Sequence, residues 1–286
     1  MIVAEQLLAW HIEPRTQRYT ARDTTIYALG IGLGSDPLSE GQLRFVTVEA
    51  PPPAFPTMAV VLARAESFTA DPRTGIDRTM VVHGEQGLEL LRPLPAEGSV
   101  TGRSRVTDVV DKGAGKGAVI YIETVLSNVA SSEVLARCWS SIFARGDGGF
   151  GGSPASPRIP HRLPERAPDA VCALPTFTNS ALLYRLSGDL NPLHSDPAHA
   201  RRAGFDRPIL HGLCTYGLTA HAVLRTFCDY NPDRLRRFEV RFSAPVFPGE
   251  TVEVHLWRNG EEVSFRAVVP ARGAKVIDNG YAVIGD

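Results

Sequence analysis

The sequence predicts an α+β protein built from two related units, and two features of the chain support this. The 286 residues are enough for two domains of ordinary size. Residues 146–169 are dense in glycine and proline, which excludes a helix or a central strand there and leaves two segments of similar length. In each segment helix signals precede strand signals, so we expect each unit to be a long helix wrapped by an antiparallel sheet.

Three short motifs recur in the same order in the two segments and indicate a duplicated unit. Each match alone is weak, and only the shared order favours duplication. The matched pairs are YAL at 27–29 with YRL at 184–186, HG at 83–84 with HG at 211–212, and PLPAEG at 93–98 with PVFPGE at 245–250. The first motif is followed by SDP in both segments, at 35–37 and at 195–197.

Local patterns predict where the helices and strands lie. Thr20 and the acidic residue three positions later form a capping box, which predicts a helix through Leu29. Apolar residues at helical spacing predict a long helix over 210–227, with Gly217 and Ala220 allowing a sheet to pack closely against it. Runs rich in Val, Ile and Thr predict strands at 99–111, 117–127, 133–144, 238–244, 251–258, 263–270 and 275–284.

The composition excludes several classes of function. The net charge of −1 gives no bulk attraction to nucleic acid or to an anionic membrane. No apolar run approaches the roughly 20 residues of a membrane helix, and the N-terminal residues lack the pattern of a signal peptide. The four cysteines are scattered and form no CxxC pair, which disfavours a zinc ribbon. We therefore expect a cytoplasmic protein with reduced thiols and with neither a nucleic-acid nor a membrane partner.

The densest chemical signal is a turn bracketed by Gly188 and Pro192. Asp189 and His194 offer an acid/base pair at near-neutral pH, and Asn191 adds a donor and acceptor that can position water. No second histidine stands nearby in a metal-ligand spacing, so the set favours water activation with neither a metal nor another cofactor. The alternative is an Asx-turn in which the aspartate and asparagine bond only their own backbone.

The neighbouring pair His211 and Gly212 stands at the start of the predicted long helix. Backbone N–H groups at a helix N-terminus have no intrahelical partner and favour developing negative charge. The Gly212 backbone would thus stabilise an enolate-like oxygen, while His211 is either part of the chemistry or a helix-end histidine without a role. Acid/base groups beside such a site suit the hydration of an α,β-unsaturated thioester.

Two stretches of the second segment resemble a known family. Residues 184–194 (YRLSGDLNPLH) and 208–217 (PILHGLCTYG) resemble the signature of hydratase 2, the (R)-specific enoyl-CoA hydratase branch of the MaoC-like dehydratases. The first segment resembles the N-terminal unit of the same family at 27–32, 55–57, 83–86, 111–113 and 148–152. The resemblance implies a double hotdog fold and the addition of water to trans-2-enoyl-CoA, giving (3R)-3-hydroxyacyl-CoA. It also implies that Asp189, Asn191 and His194 are catalytic and that Gly212 forms the oxyanion hole.

The duplication predicts a division of labour between the units. With Tyr27 aligned to Tyr184, the positions of Asp189, Asn191 and His194 are taken by Gly32, Gly34 and Pro37. The first unit therefore lacks the acid/base groups, and we infer that it holds the acyl chain while one full site exists per chain. The predicted parts are a degenerate hotdog at 1–150, a linker at 151–167 and the catalytic hotdog at 168–286.

Six further residues are candidates for substrate binding, each with a plainer alternative. Lys112, Arg145 and Arg241 would meet the phosphates of CoA, or are solvated surface charges. Phe150 contacts the ligand or anchors the linker. His83 and Gly84 shape the acyl pocket or are a relic of duplication.

The reaction itself has two competing interpretations. A hotdog thioesterase would direct water to the thioester carbonyl and release free CoA, and a non-catalytic acyl-CoA binder would do neither. We expect the partner to be an enoyl-CoA thioester and the assembly to be a homodimer. The length and class of the acyl chain are left open, because loops that sequence alone cannot place would form the pocket walls.

Overall fold

The computed structural model describes residues 1–47, 51–152 and 158–285. Ten strands within them form one antiparallel sheet. The strands are β1 (Arg15–Tyr19), β2 (Val81–Leu90), β3 (Gly98–Asp111), β4 (Ala118–Asn128), β5 (Val134–Ala144), β6 (Ala170–Pro175), β7 (Leu235–Phe242), β8 (Thr251–Asn259), β9 (Glu262–Val269) and β10 (Ala274–Ile284). The α-helices are α1 (Ala4–Leu8), α2 (Ala21–Gly30), α3 (Glu40–Leu43), α4 (Ser180–Tyr184), α5 (Pro197–Arg202) and α6 (Gly212–Phe227). We call β1–β5 with α1–α3 the first half, and β6–β10 with α4–α6 the second half.

The strand order is the same in both halves when each is followed from its outer edge to the centre. It is β1, β3, β4, β5, β2 in the first half and β6, β8, β9, β10, β7 in the second. At the centre β2 pairs antiparallel with β7, in register from Glu85–Arg241 to Glu89–Arg237. Two like half-sheets joined edge to edge form a double hotdog, which confirms the predicted α+β class and supports duplication of one unit.

The seven predicted strands are confirmed, with ends displaced by three residues at most. The capping box of α2 is also present, with the Thr20 N–H and hydroxyl both donating to the Asp23 carboxylate. Three strands were not predicted, namely β1, β2 and β6. Two of these are the short outer-edge strands, and the central β2 carries polar residues that interrupt its apolar pattern.

One of the three repeated motifs does not mark equivalent positions. His83 and Gly84 lie within β2, whereas Gly212 is the first residue of α6 and His211 its N-cap. The PLPAEG and PVFPGE motifs do match, because they precede β3 and β8, the second strands from the two outer edges. His83 therefore has no counterpart at 211, and its role depends on its own contacts.

The first half has no long helix within the described residues, which corrects that part of the prediction. Its longest helix is α2, with 10 residues, against 16 in α6. Short 3-10 turns follow instead, at Pro56–Val60, Phe68–Ala70, Pro72–Thr74 and Arg78–Met80. The physical reason is proline, which lacks the N–H and clashes with the preceding turn of a helix. Prolines stand at positions 51, 52, 53, 56 and 72.

Helix α6 is confirmed, but the element that approaches Gly217 is not a strand as predicted. A Cβ atom at Gly217 would lie 2.5 Å from Ile31 Cγ2 and 3.1 Å from the Tyr27 hydroxyl. The small residue thus admits the end of α2 from the first half. Tyr27 also packs on Tyr184, with ring centroids 6.0 Å apart, and one apolar core runs through both halves.

The predicted linker lies partly outside the described residues, which omit 153–157. Its described part contains neither helix nor strand, as the glycine and proline content predicts. Arg158 stacks over the Trp139 ring, and His161 hydrogen-bonds the Ser264 hydroxyl at 2.8 Å. Because these partners stand on β5 and β9, on the face opposite the core, residues 158–161 of the linker lie on the outer surface of the sheet.

Candidate active site

The predicted catalytic residues lie on a turn that local sequence shapes. The chain leaves α4 through a 3-10 turn that ends at Gly188, whose φ of +108° is readily accessible only to glycine. Asp189 follows at once, and Pro192 then opens a second 3-10 turn, Pro192–His194. These two turns bring the Asp189 and His194 side chains together, with a ligand atom of each within 4.8 Å of the other.

The backbone hydrogen bonds of an Asx-turn are present here. One oxygen of Asp189, Oδ1, accepts from the Asn191 N–H at 3.1 Å, and Asn191 Oδ1 accepts from the Leu193 N–H at 3.0 Å. The second aspartate oxygen, Oδ2, faces the guanidinium of Arg64 at 3.8 Å. The turn therefore fixes one oxygen of Asp189 and leaves the other directed away from the local backbone.

His194 is oriented as a hydrogen-bond acceptor. Its ring lies 2.9 Å from the Ile209 carbonyl through Nδ1, and because a carbonyl only accepts, Nδ1 carries the hydrogen. The other nitrogen, Nε2, then presents a lone pair. The side chain is 8% exposed, and burial lowers the pKa of His194 below its ordinary value, so the ring is neutral at neutral pH.

His211 lies inside the same group, which its position at a helix start did not reveal. Its ring stacks on that of His194, with centroids 3.7 Å apart, and its Nε2–H donates to the Asp189 backbone carbonyl at 3.1 Å. Burial, followed by repulsion from His194, lowers the pKa of His211 to about 4. Its Nδ1 atom is buried and has no partner among the described protein atoms.

Asp189, His194 and His211 each offer a ligand atom, and these atoms lie within 4.8 Å of one another. A carboxylate and two imidazoles are a common donor set for a transition metal. The geometry is unfavourable here, because stacked rings direct their lone pairs side by side rather than at one point. Nδ1 of His194 and Nε2 of His211 also already donate to carbonyls. The group suits a water molecule better than a metal ion.

Gly212 supplies the helix N-terminus beside these groups. The His211 carbonyl accepts from the N–H groups of Cys214 and Thr215, at 3.0 and 3.2 Å. The two earlier N–H groups of α6, including that of Gly212, therefore have no partner within the helix. A Cβ atom at Gly212 would lie 3.5 Å from the Phe242 ring, which places this aromatic ring next to the helix N-terminus.

The first half contributes two side chains to the surroundings of Asp189. The His83 ring packs against the Phe242 ring at a tilt of 56°, with centroids 4.8 Å apart, and its Nε2–H donates to the Glu85 carbonyl at 3.0 Å. Burial, followed by the charge of Arg64, lowers the pKa of His83 to about 4. His83 was among the sequence candidates, whereas Arg64 was missed because no motif surrounds it. Both belong to the half that was predicted to lack chemistry.

The other substrate-binding candidates are placed differently. Gly84 packs against Ser141 of β5, and a Cβ there would lie 2.7 Å from the Ser141 hydroxyl oxygen. Arg241 is exposed and precedes Phe242 on β7. Neighbouring residues of a strand point to opposite faces, so Arg241 projects away from the site that Phe242 faces. These contacts involve none of the catalytic groups, and a substrate-binding role for Gly84 or Arg241 stays a prediction.

Lys112 and Arg145 lie together at one end of the first half-sheet. Both side chains are exposed. Gly117 lies next to both residues: its carbonyl accepts a hydrogen bond from the Lys112 N–H, and a Cβ atom on Gly117 would lie 3.1 Å from Arg145 Cα. Arg145 directly follows Ala144, which pairs with a β2 residue two positions before His83. This exposed basic pair is therefore near the end of β2 that carries His83.

Phe150 anchors the glycine-rich loop. It packs against a small apolar cluster of the first half, and the N–H groups of Gly149 and Gly151 on either side both donate to the Asp111 carboxylate at 2.8 Å. These bonds and that of the Gly113 N–H hold the pKa of Asp111 below its ordinary value. Of the two roles considered for Phe150, the contacts support anchoring.

Among the described residues, none of the helices combines the length and apolar character needed to cross a membrane.

The fold and the acid/base turn define a double hotdog protein that carries this turn in its second half. Sequence models of two domains match it: the MFE-2 hydratase 2 N-terminal domain over residues 17–146 and the MaoC like domain over residues 161–279. The chain belongs to the hydratase 2 branch of the MaoC-like dehydratases, as its motifs predicted.

Similar proteins match over nearly the whole chain. A probable enoyl-CoA hydratase 2 of Dictyostelium discoideum is 37% identical over 279 residues, covering 96% of this chain and 93% of that protein. The peroxisomal enoyl-CoA hydratase 2 of Arabidopsis thaliana is 36% identical, covering 95% and 92%. A crystal structure of a MaoC-like dehydratase from Phytophthora capsici superposes with a TM-score of 0.86 at 35% identity, covering 99% and 98%. Since the Arabidopsis protein is named peroxisomal, the cytoplasmic location stays a prediction.

Proposed function

We propose that this protein adds water to trans-2-enoyl-CoA to give (3R)-3-hydroxyacyl-CoA, and catalyses the reverse dehydration. One observation carries the proposal: a neutral His194 lies beside the Asp189 carboxylate at the N-terminus of α6. Because Nδ1 of His194 binds the Ile209 carbonyl, the lone pair of Nε2 is left to accept a proton. The same reaction class appears in the names of the enoyl-CoA hydratase 2 relatives.

In the proposed reaction one water molecule donates hydrogen bonds to His194 Nε2 and to the Asp189 carboxylate. His194 takes a proton as the water oxygen forms its bond to C3 of the enoyl group. His194 then passes this proton to the Asp189 carboxylate, and the carboxylate delivers it to C2. Both groups end as they began, and the substrate gains one water. Asn191 helps to hold the water through its side-chain amide. Because water and proton come from one side, the addition is syn.

The electrons displaced from the double bond move toward the thioester oxygen during this step. The N–H at Gly212 would donate to that oxygen, and the N-terminus of α6 favours the negative charge that develops there. His211 supports the arrangement from behind, since it stacks on His194 and holds the Asp189 carbonyl. Its neutral state avoids placing a second positive ring against His194 once that ring is protonated.

The remaining parts of the proposal concern the two units. Residues 1–150 form a unit that holds the acyl chain, 151–167 the linker and 168–286 the catalytic unit. The short turns of the first half in place of a long helix support this, as does His83 beside Phe242. Lys112 and Arg145 are proposed to meet CoA phosphates, and the assembly is proposed to be a homodimer.

The test is an assay of the purified chain with crotonyl-CoA. Loss of the enoyl-thioester absorbance without release of free thiol is the expected result, and chiral analysis should identify the 3R product. Release of free thiol at the same rate would identify a thioesterase instead. Binding without either change would leave only an acyl-CoA binder, and a 3S product would contradict the proposed stereochemistry.

A further inference from the structure

Arg64 of the first half points at the catalytic carboxylate of the second half. Its Nη1 atom lies 3.8 Å from Asp189 Oδ2, and its charge contributes to lowering the pKa of His83. We propose, on the basis of the function proposed above, that Arg64 is a positioning residue that holds one oxygen of Asp189 while the Asn191 N–H holds the other. The catalytic site is then completed by both halves of the chain.

The backbone that carries Arg64 is fixed by three contacts from the first half-sheet. The Ala63 N–H donates to the Gln17 side chain at 2.7 Å, and the Arg64 carbonyl accepts from Arg15 at 3.3 Å. The third contact is with Gly102 of β3, where a side chain would collide with the Ala63 carbonyl, so β3 lies directly against this part of the chain. Strands β1 and β3 therefore determine where the chain turns toward Asp189.

Ala63 adopts a conformation that is unusual for alanine. Its φ of +47° lies in the left-handed region, which costs free energy for a residue with a Cβ atom. The residue is fully buried, so the surrounding packing holds the strained conformation in place. Strain of this kind is typical of segments that must aim a functional side chain. The residue aimed here is Arg64, the next in sequence.

The ion pair itself contributes little to folding. The side chains of Arg64 and Asp189 are 54% and 35% exposed, and pairs of this kind are weak because water and salt screen them. Its effect is local instead. Burial lowers the pKa values of the three neighbouring imidazoles, His83, His194 and His211, so these rings are neutral at neutral pH and Arg64 supplies positive charge at the carboxylate.

This arrangement assigns Asp189 a defined starting state. A carboxylate held by a guanidinium and a backbone N–H enters the reaction as a hydrogen-bond acceptor for water, and it gives a proton to C2 only after it has received that proton from His194. Without Arg64, Oδ2 would be free to rotate away from the water that His194 also contacts. We therefore expect the loss of Arg64 to lower the rate of the bound complex more than the affinity for substrate.

The experiment compares the full-length wild type with Arg64→Gln, Arg64→Lys and Arg92→Gln in the crotonyl-CoA assay. Arg92 is the matched control, because its nitrogen also lies 3.8 Å from a carboxylate, that of Glu133, with side chains 64% and 60% exposed. Arg64→Gln should lower kcat about two- to fivefold with KM nearly unchanged. Arg64→Lys and added guanidinium ion should restore part of kcat, and Arg92→Gln should match the wild type.

Each outcome bears on a separate claim. An inactive wild type would refute the proposed function before Arg64 is considered. An active wild type with equal kcat in Arg64→Gln would overturn the positioning role. A raised KM at unchanged kcat would overturn it as well, since Arg64 would then bind the substrate. Equal melting temperatures of wild type and Arg64→Gln, together with rescue by guanidinium, would exclude a folding defect as the cause.

Discussion

Replacing His221 by glutamine tests how the buried histidines make stability depend on pH. His221 lies on α6 and is fully buried, and its Nε2 atom is 3.2 Å from the Tyr230 hydroxyl. Burial lowers its pKa to about 4, from an ordinary value of 6.5. Glutamine cannot titrate in this range and offers an amide to the same hydroxyl. The variant therefore removes one titrating group while keeping a polar contact.

The magnitude follows from the two pKa values. In the unfolded chain the imidazole takes up a proton below about 6.5, whereas in the folded chain it stays neutral until about 4. The unfolded state thus binds more protons in this window, and the stability that is present above pH 6.5 is lost as pH falls. At 1.36 kcal/mol per pKa unit, His221 alone costs about 2 kcal/mol of unfolding free energy between pH 7 and pH 5.

The measurement is urea unfolding of the wild type and of His221→Gln at pH 7, 6 and 5. The variant should lose about 2 kcal/mol less than the wild type between pH 7 and 5. His11→Gln is the control, because the side chain of His11 is 75% exposed, and it should follow the wild type. Parallel curves for wild type and His221→Gln would show that His221 titrates equally in both states and would refute the reasoning.

Three further predictions concern activity and assembly. His194→Ala and Asp189→Asn should each lower turnover at least about a hundredfold at nearly unchanged melting temperature, and near-wild-type rates would remove them from the mechanism. Since burial lowers the pKa of His194, kcat/KM should stay level down to about pH 6.5 and fall only below it; a fall that begins above pH 7 would contradict a neutral His194. Residues 168–286 alone should self-associate or precipitate, because β7 loses its pairing with β2, and co-expression with residues 1–150 should restore solubility; a soluble, fully active monomer of 168–286 would show that the first half is dispensable.

The features that the sequence predicted well are those determined within a few residues. The α2 capping box and the turn between Gly188 and Pro192 depend on neighbouring side chains and on glycine and proline, whose effects are local. Hydrophobic alternation likewise located seven strands. For the same reason Asp189 and His194 were recognised together, since only five positions separate them.

The features that were missed depend on contacts distant in sequence. Arg64 and Asp189 are 125 positions apart, and the bend at Ala63 has no signal because alanine rarely adopts positive φ. The repeated HG motif suggested that His83 and His211 were equivalent, but one lies in a strand and the other before a helix. His83 lies in a strand because it pairs with Ile142 of β5, 59 positions later in the chain, and neither motif contains this information.

The central β2–β7 seam has a consequence for how this chain can change over time. In an assembly of two identical hotdog subunits, any mutation appears on both sides of the seam at once, so a substitution that helps one side must also be tolerated on the other. Here the two sides are encoded separately. The first half can carry Gly32 at the position equivalent to Asp189 of the second half. Arg64 can likewise position an aspartate that the first half itself lacks. Covalent fusion thus converts a symmetric interface into one on which each side accumulates mutations independently.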